Sequence, residues 1–182
     1  MADIQQFFKN YSLHNSTFKE TSFDDENNVY LCTDTSQDVL NFDKLIEDKY
    51  PNPYLRPKSF DAIYQFGNVL YLVEFKNQKP SQIDNNAIVQ KLNDGKKELD
   101  TFLTKLNIQK RDYSFKYCVV YKNCNKAIDR YKCGISKNII EFGLEQYKNR
   151  VVDDIKTDSV SSFTKLLNKK LIIFTLNCEG KI

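Results

Sequence analysis

The stretch Lys58-Ser59-Phe60-Asp61-Ala62-Ile63-Tyr64-Gln65-Phe66-Gly67-Asn68-Val69-Leu70-Tyr71-Leu72-Val73-Glu74-Phe75-Lys76 decides how this chain folds. Two runs rich in β-branched and aromatic residues flank Gly67-Asn68, and a glycine at the first central position suits a type II′ hairpin turn. With those two residues as the loop, Phe66 pairs with Val69 and the same register carries Asp61 opposite Glu74. Side chains alternate along a strand, which sets Lys76 on the Glu74 face one step further along. Two carboxylates directly opposite each other destabilise an antiparallel pair. A counter-charge is required.

A divalent cation meets that requirement. Mg²⁺ favours oxygen ligands and is held by one or two carboxylates, with waters and substrate phosphate completing its shell. The Lys76 ammonium beside it would orient or deprotonate a water, or stabilise charge developing on a phosphate. Asp61, a gap, then Glu74-Phe75-Lys76 on a hairpin resembles the PD-(D/E)XK nuclease superfamily, although Phe60 stands where the pattern has proline and the nearest proline is Pro57. The resemblance implies a restriction-endonuclease-like αβββαβ core and hydrolysis of phosphodiester bonds by an endonuclease or exonuclease. It also implies Asp61, Glu74 and Lys76 as the catalytic set, Asp61 and Glu74 as metal ligands, and Mg²⁺ as cofactor with Mn²⁺ as substitute. The expected partner is nucleic acid, DNA ahead of RNA. The plainer alternative is an ion pair of Lys76 with Glu74 or Asp61 at a sheet edge. Against it, Val69-Leu70-Tyr71-Leu72-Val73 is apolar on both faces, and charges at the end of so buried a strand need a partner or a role.

Members of this superfamily often add an acidic residue from the first helix to the metal shell. Glu47, Asp43 and Asp38 are the candidates. Glu47 is preferred, because its charge near a helix C-terminus opposes the macrodipole and wants another reason to be there. Some branches carry a glutamine on the helix after Glu-x-Lys, and Gln90 resembles it. Helical periodicity turns Gln90 away from the core, whereas Lys91 flanks the apolar stripe within reach of a phosphate. Both are carried as candidate substrate contacts.

The rest of the chain reads as an α/β fold with a mixed central sheet flanked by helices. A short helix is expected near Ile4–Tyr11, and a second over 37–50, with capping-box-like spacing of Thr35 and Asp38 and apolar Val39, Phe42, Ile46 and Tyr50. After the hairpin, Pro80 breaks the chain and Asp84 is a candidate N-cap. The helix that follows carries a stripe of Ile88, Leu92, Leu99, Phe102, Leu103 and Leu106, with Gly95 on the same side for close packing. Ser114–Lys122 reads as a strand, reached by a right-handed crossover. Residues 136–150 are ambiguous, 158–169 look helical, and 171–176 read as a late strand. The core spans about 37–122 of a single 1–182 domain, with 1–35 and 133–182 as elaborations. One more strand is expected from 28–33 or from the tail.

Composition bounds the function classes. The 182 residues are 41% hydrophobic and 13% aromatic, which argues against disorder. No apolar run approaches a membrane span, and Met1–Lys9 lacks a secretory profile, so a soluble cytoplasmic protein without a membrane partner is expected. Five cysteines without a C-x-x-C pair argue against disulfides and a zinc knuckle, and the one histidine, His14, removes histidine-based metal and nucleophile mechanisms. Net charge is only +3, yet Lys105 to Lys137 holds nine basic residues against two acidic ones, with Tyr113, Phe115, Tyr117, Tyr121 and Tyr131 interleaved. Cations with aromatics suit a phosphate backbone and unstacked bases, which makes Lys110, Arg111, Lys126, Arg130 and Lys132 candidate nucleic-acid contacts. The same stretch also reads as a solvated lysine face over core aromatics. Two rivals remain open: a catalytically silent nucleic-acid-binding module on the same fold, and an inhibitor-type or immunity-type protein whose 105–137 surface meets an acidic protein. A homodimer is compatible with any of these.

Overall fold

The computed structural model describes residues 3–123 and 140–165. The chain begins with α1 (Ile4–Asn10), capped by Asp3, and continues through β1 (Asn15–Thr17), α2 (Phe18–Thr21), β2 (Phe23–Asp24) and β3 (Val29–Tyr30). Then come β4 (Asp38–Asn41), α3 (Phe42–Lys49), β5 (Ala62–Phe66), β6 (Val69–Lys76), α4 (Asn85–Lys105), β7 (Ser114–Tyr121) and β8 (Asp154–Ser159). Residues 160–165 are helical.

Among the described residues six strands make one mixed sheet in the order β1-β4-β5-β6-β7-β8, and β2 and β3 form a separate two-stranded ribbon. The pairs from β1 to β6 are antiparallel, whereas β6, β7 and β8 run parallel. The hairpin register is the expected one, Phe66 with Val69 through Ala62 with Val73. Gly67 takes φ +59° while Asn68 stays out of the left-handed region, as a type II′ turn requires. The ladder ends one step earlier than expected. Asp61 donates its amide to the carbonyl of Val73, the residue already paired with Ala62, and so does not face Glu74 as a paired strand residue.

Alternation sorts the apolar side chains onto two covered faces. Leu40, Ile63, Leu70, Leu72, Tyr117 and Val119 pack with α1, α3 and α4 on one side. Val39, Ala62, Tyr64, Tyr71, Val73, Phe75, Cys118 and Val120 pack with Phe18 of α2 and Phe163 on the other. Among the described residues no helix is long and apolar enough to cross a membrane. Cys32 and Cys118 are buried free thiols, and burial pushes the Cys118 thiol up to about 12, which fits small hydrophobes. Cys124, Cys133, Cys178 and the expected strand at 171–176 lie outside the described residues.

The expected helix over 37–50 is divided. Residues 38–41 form β4, because Val39 and Leu40 fill opposite covered faces with period two, and the helix begins only after Asn41 caps the Lys44 amide. The cap is therefore Asn41 and not Thr35. The additional central strand comes from this segment rather than from 28–33, whose Val29–Tyr30 pair with Phe23–Asp24 in the ribbon. Strand β8 has no apolar run, since only Ile155 and Ser159 in it are buried, and it takes its register from eight-residue β7 beside it.

Helix α4 confirms its capping and its stripe. Asp84 accepts from the Asn86 amide, and Ile88, Leu92, Leu99, Phe102 and Leu103 are buried. A Cβ at Gly95 would lie 2.8 Å from two ring atoms of Phe60, whose ring is stacked on Phe42 at 4.7 Å and set edge-on to Tyr117. Phe60 thus fills the place next to Asp61 as a spacer between helix and sheet. Gly95→Ala should destabilise the protein by up to about 2 kcal/mol in urea unfolding, overpacking of about 1–3 kcal/mol opposing a helix-propensity gain of about 1 kcal/mol. Adding Phe60→Leu should recover part of the loss; a stabilised single variant would show that the helix is not wedged against Phe60.

Candidate functional site

Three elements deliver the charged side chains to one place. Asp61 has the parity of Ile63 and Glu74 that of Leu72, so both carboxylates leave the sheet on the face that α4 covers. Lys76 follows Glu74 by two residues and keeps its face. From above, α4 contributes Lys91, flanking the Ile88 and Leu92 stripe.

Lys91 stands between the two acids. Its ammonium lies 2.8 Å from Glu74 Oε1, 2.9 Å from Glu74 Oε2 and 3.2 Å from Asp61 Oδ1. Lys76 approaches the same Glu74 Oε1 at 2.8 Å. The Glu74 side chain is wholly buried, whereas Asp61, Lys91 and Lys76 retain 18%, 20% and 24% exposure, so the cluster touches solvent from one side. Both ammonium contacts to Oε1 are close in distance but neither is aligned as a hydrogen bond, and that buried oxygen is left without one. The second Asp61 oxygen, Oδ2, accepts from the Phe75 amide at 2.6 Å, a bond that brings Asp61 to β6 without continuing the ladder.

Burial, and after it the Glu74 charge, pushes the Asp61 carboxyl up to about 7 against the opposing pull of Lys91, the Phe75 amide and Lys76. Burial alone would lower the Lys91 ammonium, but Asp61 and Glu74 together override it and raise it above the ordinary lysine range. Tyr117, fully buried, has its phenol raised well above the usual value by burial and then by Glu74 and Asp61, which keeps it a neutral hydroxyl near two carboxylates. Its hydroxyl donates to the Ile88 carbonyl. Sequence reading set Tyr117 among the aromatics of the basic stretch, and only the tertiary fold brings its hydroxyl near the two acids.

The first-helix carboxylates separate. Asp38 is in β4 and pairs with Thr17, and the antiparallel register sets it at the hairpin-turn end of the strands, away from Asp61. Glu47 is turned to Lys44 at 2.7 Å and Arg56 at 3.1 Å, which answers its conflict with the helix dipole without any contact to Asp61 or Glu74. Asp43 accepts from the Ser59 hydroxyl, two residues before Asp61, and its charge acts on Lys91. It is the first-helix acid nearest the cluster in this electrostatic sense. Gln90 is exposed and reaches along its own helix to Asp94, as periodicity anticipated.

The basic stretch is partly committed elsewhere. Lys110 pairs with Asp100 at 3.4 Å, and Arg111, 84% exposed, lies 4.0 Å from Asp112. Phe115, Tyr117 and Tyr121 are buried and Tyr113 is partly buried against the same core, so these rings support the sheet and do not offer stacking platforms for bases. Lys126, Arg130, Lys132 and Tyr131 lie outside the described residues. His14 pairs with Asp48 at 3.1 Å, away from the cluster.

Asp61 and Glu74 offer hard oxygen donors of the kind Mg²⁺ takes, and the unaligned Oε1 is a donor with spare capacity. They fit such an ion with two protein carboxylates and not three. Among the described residues no group of three or more His, Cys, Asp or Glu gathers to hold a metal. No family model, curated protein or solved structure matches this chain.

The Asp61 shift makes stability depend on pH with a definite sign. Between about 4 and about 7 the folded protein keeps a proton that the unfolded chain has released, so the stabilising contribution is complete below about 4 and is lost as the pH rises to about 7. In EDTA, Asp61→Asn should remove this dependence. Relative to wild type, the variant should gain about 2–4 kcal/mol in urea unfolding between pH 4 and 7.5. Parallel pH profiles for the two proteins would show that Asp61 is ionised throughout.

Proposed function

We propose that this chain is a Mg²⁺-dependent nuclease of the PD-(D/E)XK type, acting on phosphodiester bonds with DNA as the first substrate to test. One observation carries the reading: Asp61, just before β5, and Glu74, in β6, project on one face and converge on a common cation position, with Lys76 2.8 Å from Glu74. Asp61 and Glu74 would hold the ion, for which Mn²⁺ can stand in. A bound divalent ion supplies Lewis acidity and neutralises phosphate charge.

The protein's own groups account for the rest. The Phe75 amide fixes the Asp61 carboxylate so that Oδ1 alone points into the cluster. The depth of Glu74 in the core keeps water from that side, which strengthens every charge interaction there. Lys76, partly exposed at the end of β6, orients an attacking water and stabilises the charge that develops on the phosphate as the bond breaks. Tyr117 remains a neutral hydroxyl in the wall behind the acids.

A second reading has an observation in its favour. Two ammonium groups already neutralise two carboxylates, so the cluster is complete as an ion-pair network and the fold would serve equally a silent nucleic-acid-binding or protein-interaction module. Metal-dependent cleavage separates the two. Purified protein should cut at least one of supercoiled DNA, single-stranded DNA, branched DNA or RNA in Mg²⁺ or Mn²⁺ and none of them in EDTA. Asp61→Asn, Glu74→Gln and Lys76→Met should each lower the rate by about 10²–10³-fold or more with far-UV circular dichroism unchanged. Full activity in all three variants would remove this cluster from the reaction, and no cleavage of any substrate by the wild type would favour the silent module.

A further inference from the structure

The position between Asp61 and Glu74 is filled by the chain itself. Lys91 Nζ contacts both Glu74 oxygens and Asp61 Oδ1 within 3.2 Å. Asp61 Oδ2 is bound by the Phe75 amide, so the oxygens left to a divalent ion are those that Lys91 now touches. Like-charge repulsion and competition for the same lone pairs prevent an ammonium and a divalent cation from sharing that space. The backbone cannot give way. Lys91 lies within a 21-residue helix anchored by Ile88, Leu92 and the Gly95–Phe60 contact, so only its flexible side chain can move. Its 20% exposure marks a way out toward solvent.

Resting on the nuclease reading above, we propose that Lys91 is a resident stand-in for the metal: its ammonium occupies the cation position in the metal-free protein, and a divalent ion must expel it to enter. Exchange of one cation for another weakens the apparent metal affinity by the cost of releasing Lys91 from its two partners. Once expelled, Lys91 needs an anion. A nucleic-acid phosphate beside the site supplies one, so metal and nucleic acid bind with positive coupling, each favouring the other. The protein is thus kept unloaded until its substrate arrives. The unaligned Glu74 Oε1, buried with two ammonium groups close by, is the mark of a site built for a cation that Lys91 replaces only in part.

The test is a calorimetric titration of Mn²⁺ into wild type, Lys91→Met and Lys91→Arg, without nucleic acid and then with a phosphorothioate oligonucleotide that resists cleavage. Lys91→Met should bind Mn²⁺ at least tenfold more tightly than wild type, and Lys91→Arg, which keeps the charge, should not. The oligonucleotide should tighten Mn²⁺ binding to wild type severalfold more than it tightens binding to Lys91→Met, because phosphate ligation of the ion is common to both and the relocation of Lys91 is not. Should Lys91→Met be too unstable to purify in EDTA, Lys91→Gln replaces it, and Mn²⁺ should raise its Tm more than that of wild type. Equal or weaker Mn²⁺ affinity in the uncharged variants overturns the inference. If the wild type nevertheless cleaves nucleic acid with metal, the nuclease reading survives that result. Absence of both Mn²⁺ binding and cleavage in every variant overturns both.

Discussion

A lysine ammonium between two carboxylates is the interaction on which this structure turns. Asp61 and Glu74 come from adjacent strands at the margin of a covered sheet, and neither can be charged there alone without a large desolvation cost. Lys91 supplies the opposite charge from above and Lys76 from beside. This fixes more than local electrostatics. It sets where along its axis α4 lies on the sheet, a position that Phe60 in the hollow of Gly95 enforces one turn further on. Breaking a buried pair by removing one member costs about 3–5 kcal/mol, because the other charge stays behind unpaired. The hairpin, the long helix and the cluster are therefore one mechanical unit.

Where a sequence pattern has one physical solution, it was readable. Gly67-Asn68 between two apolar runs allows a single register, and that register brings the two acids to the face of α4. Asp84, the Ile88 to Leu103 stripe and Gly95 likewise leave little choice. Where two periods compete, reading failed. Val39, Phe42 and Ile46 satisfy a helical spacing, but Val39 and Leu40 also satisfy alternation between two covered faces, and the sheet took them. Strand β8 carries no pattern at all, since its place comes from pairing with β7 and not from its own side chains.

The site was legible to the same extent. Local spacing brought Asp61, Glu74 and Lys76 together as candidates, and the structure places the three side chains in one cluster. The same reading also expected a divalent ion to relieve their repulsion, and here the structure shows that a lysine fifteen positions beyond Lys76 already relieves it. Helical periodicity placed Lys91 at the edge of the stripe, close enough to meet either a phosphate or the acids, and only the tertiary packing of α4 chooses the acids. Glu47 was misread for a related reason: its unfavourable place in the helix dipole was real, but Arg56 and Lys44 compensate it locally.

The two readings of the cluster differ in what they expect it to cost. An ion-pair network retained only for folding has little to recommend it, since well-packed apolar residues of similar volume commonly replace such groups with no loss of stability or with a gain. This cluster carries costs of its own. It holds the Asp61 carboxyl near 7 and leaves a fully buried Glu74 oxygen without an aligned donor. Both are departures from what folding alone would favour, and both fall on the residues whose arrangement suits a hard cation. Perturbed groups clustered and open to solvent on one side are a pattern that functional sites share with structural ion-pair networks, and it is the pattern on which the proposed reading rests. Under the proposed nuclease reading Lys91 has a matching role: two acids reserved for an ion would need a counter-charge in the metal-free protein, and a side chain that can leave would serve better than one that cannot.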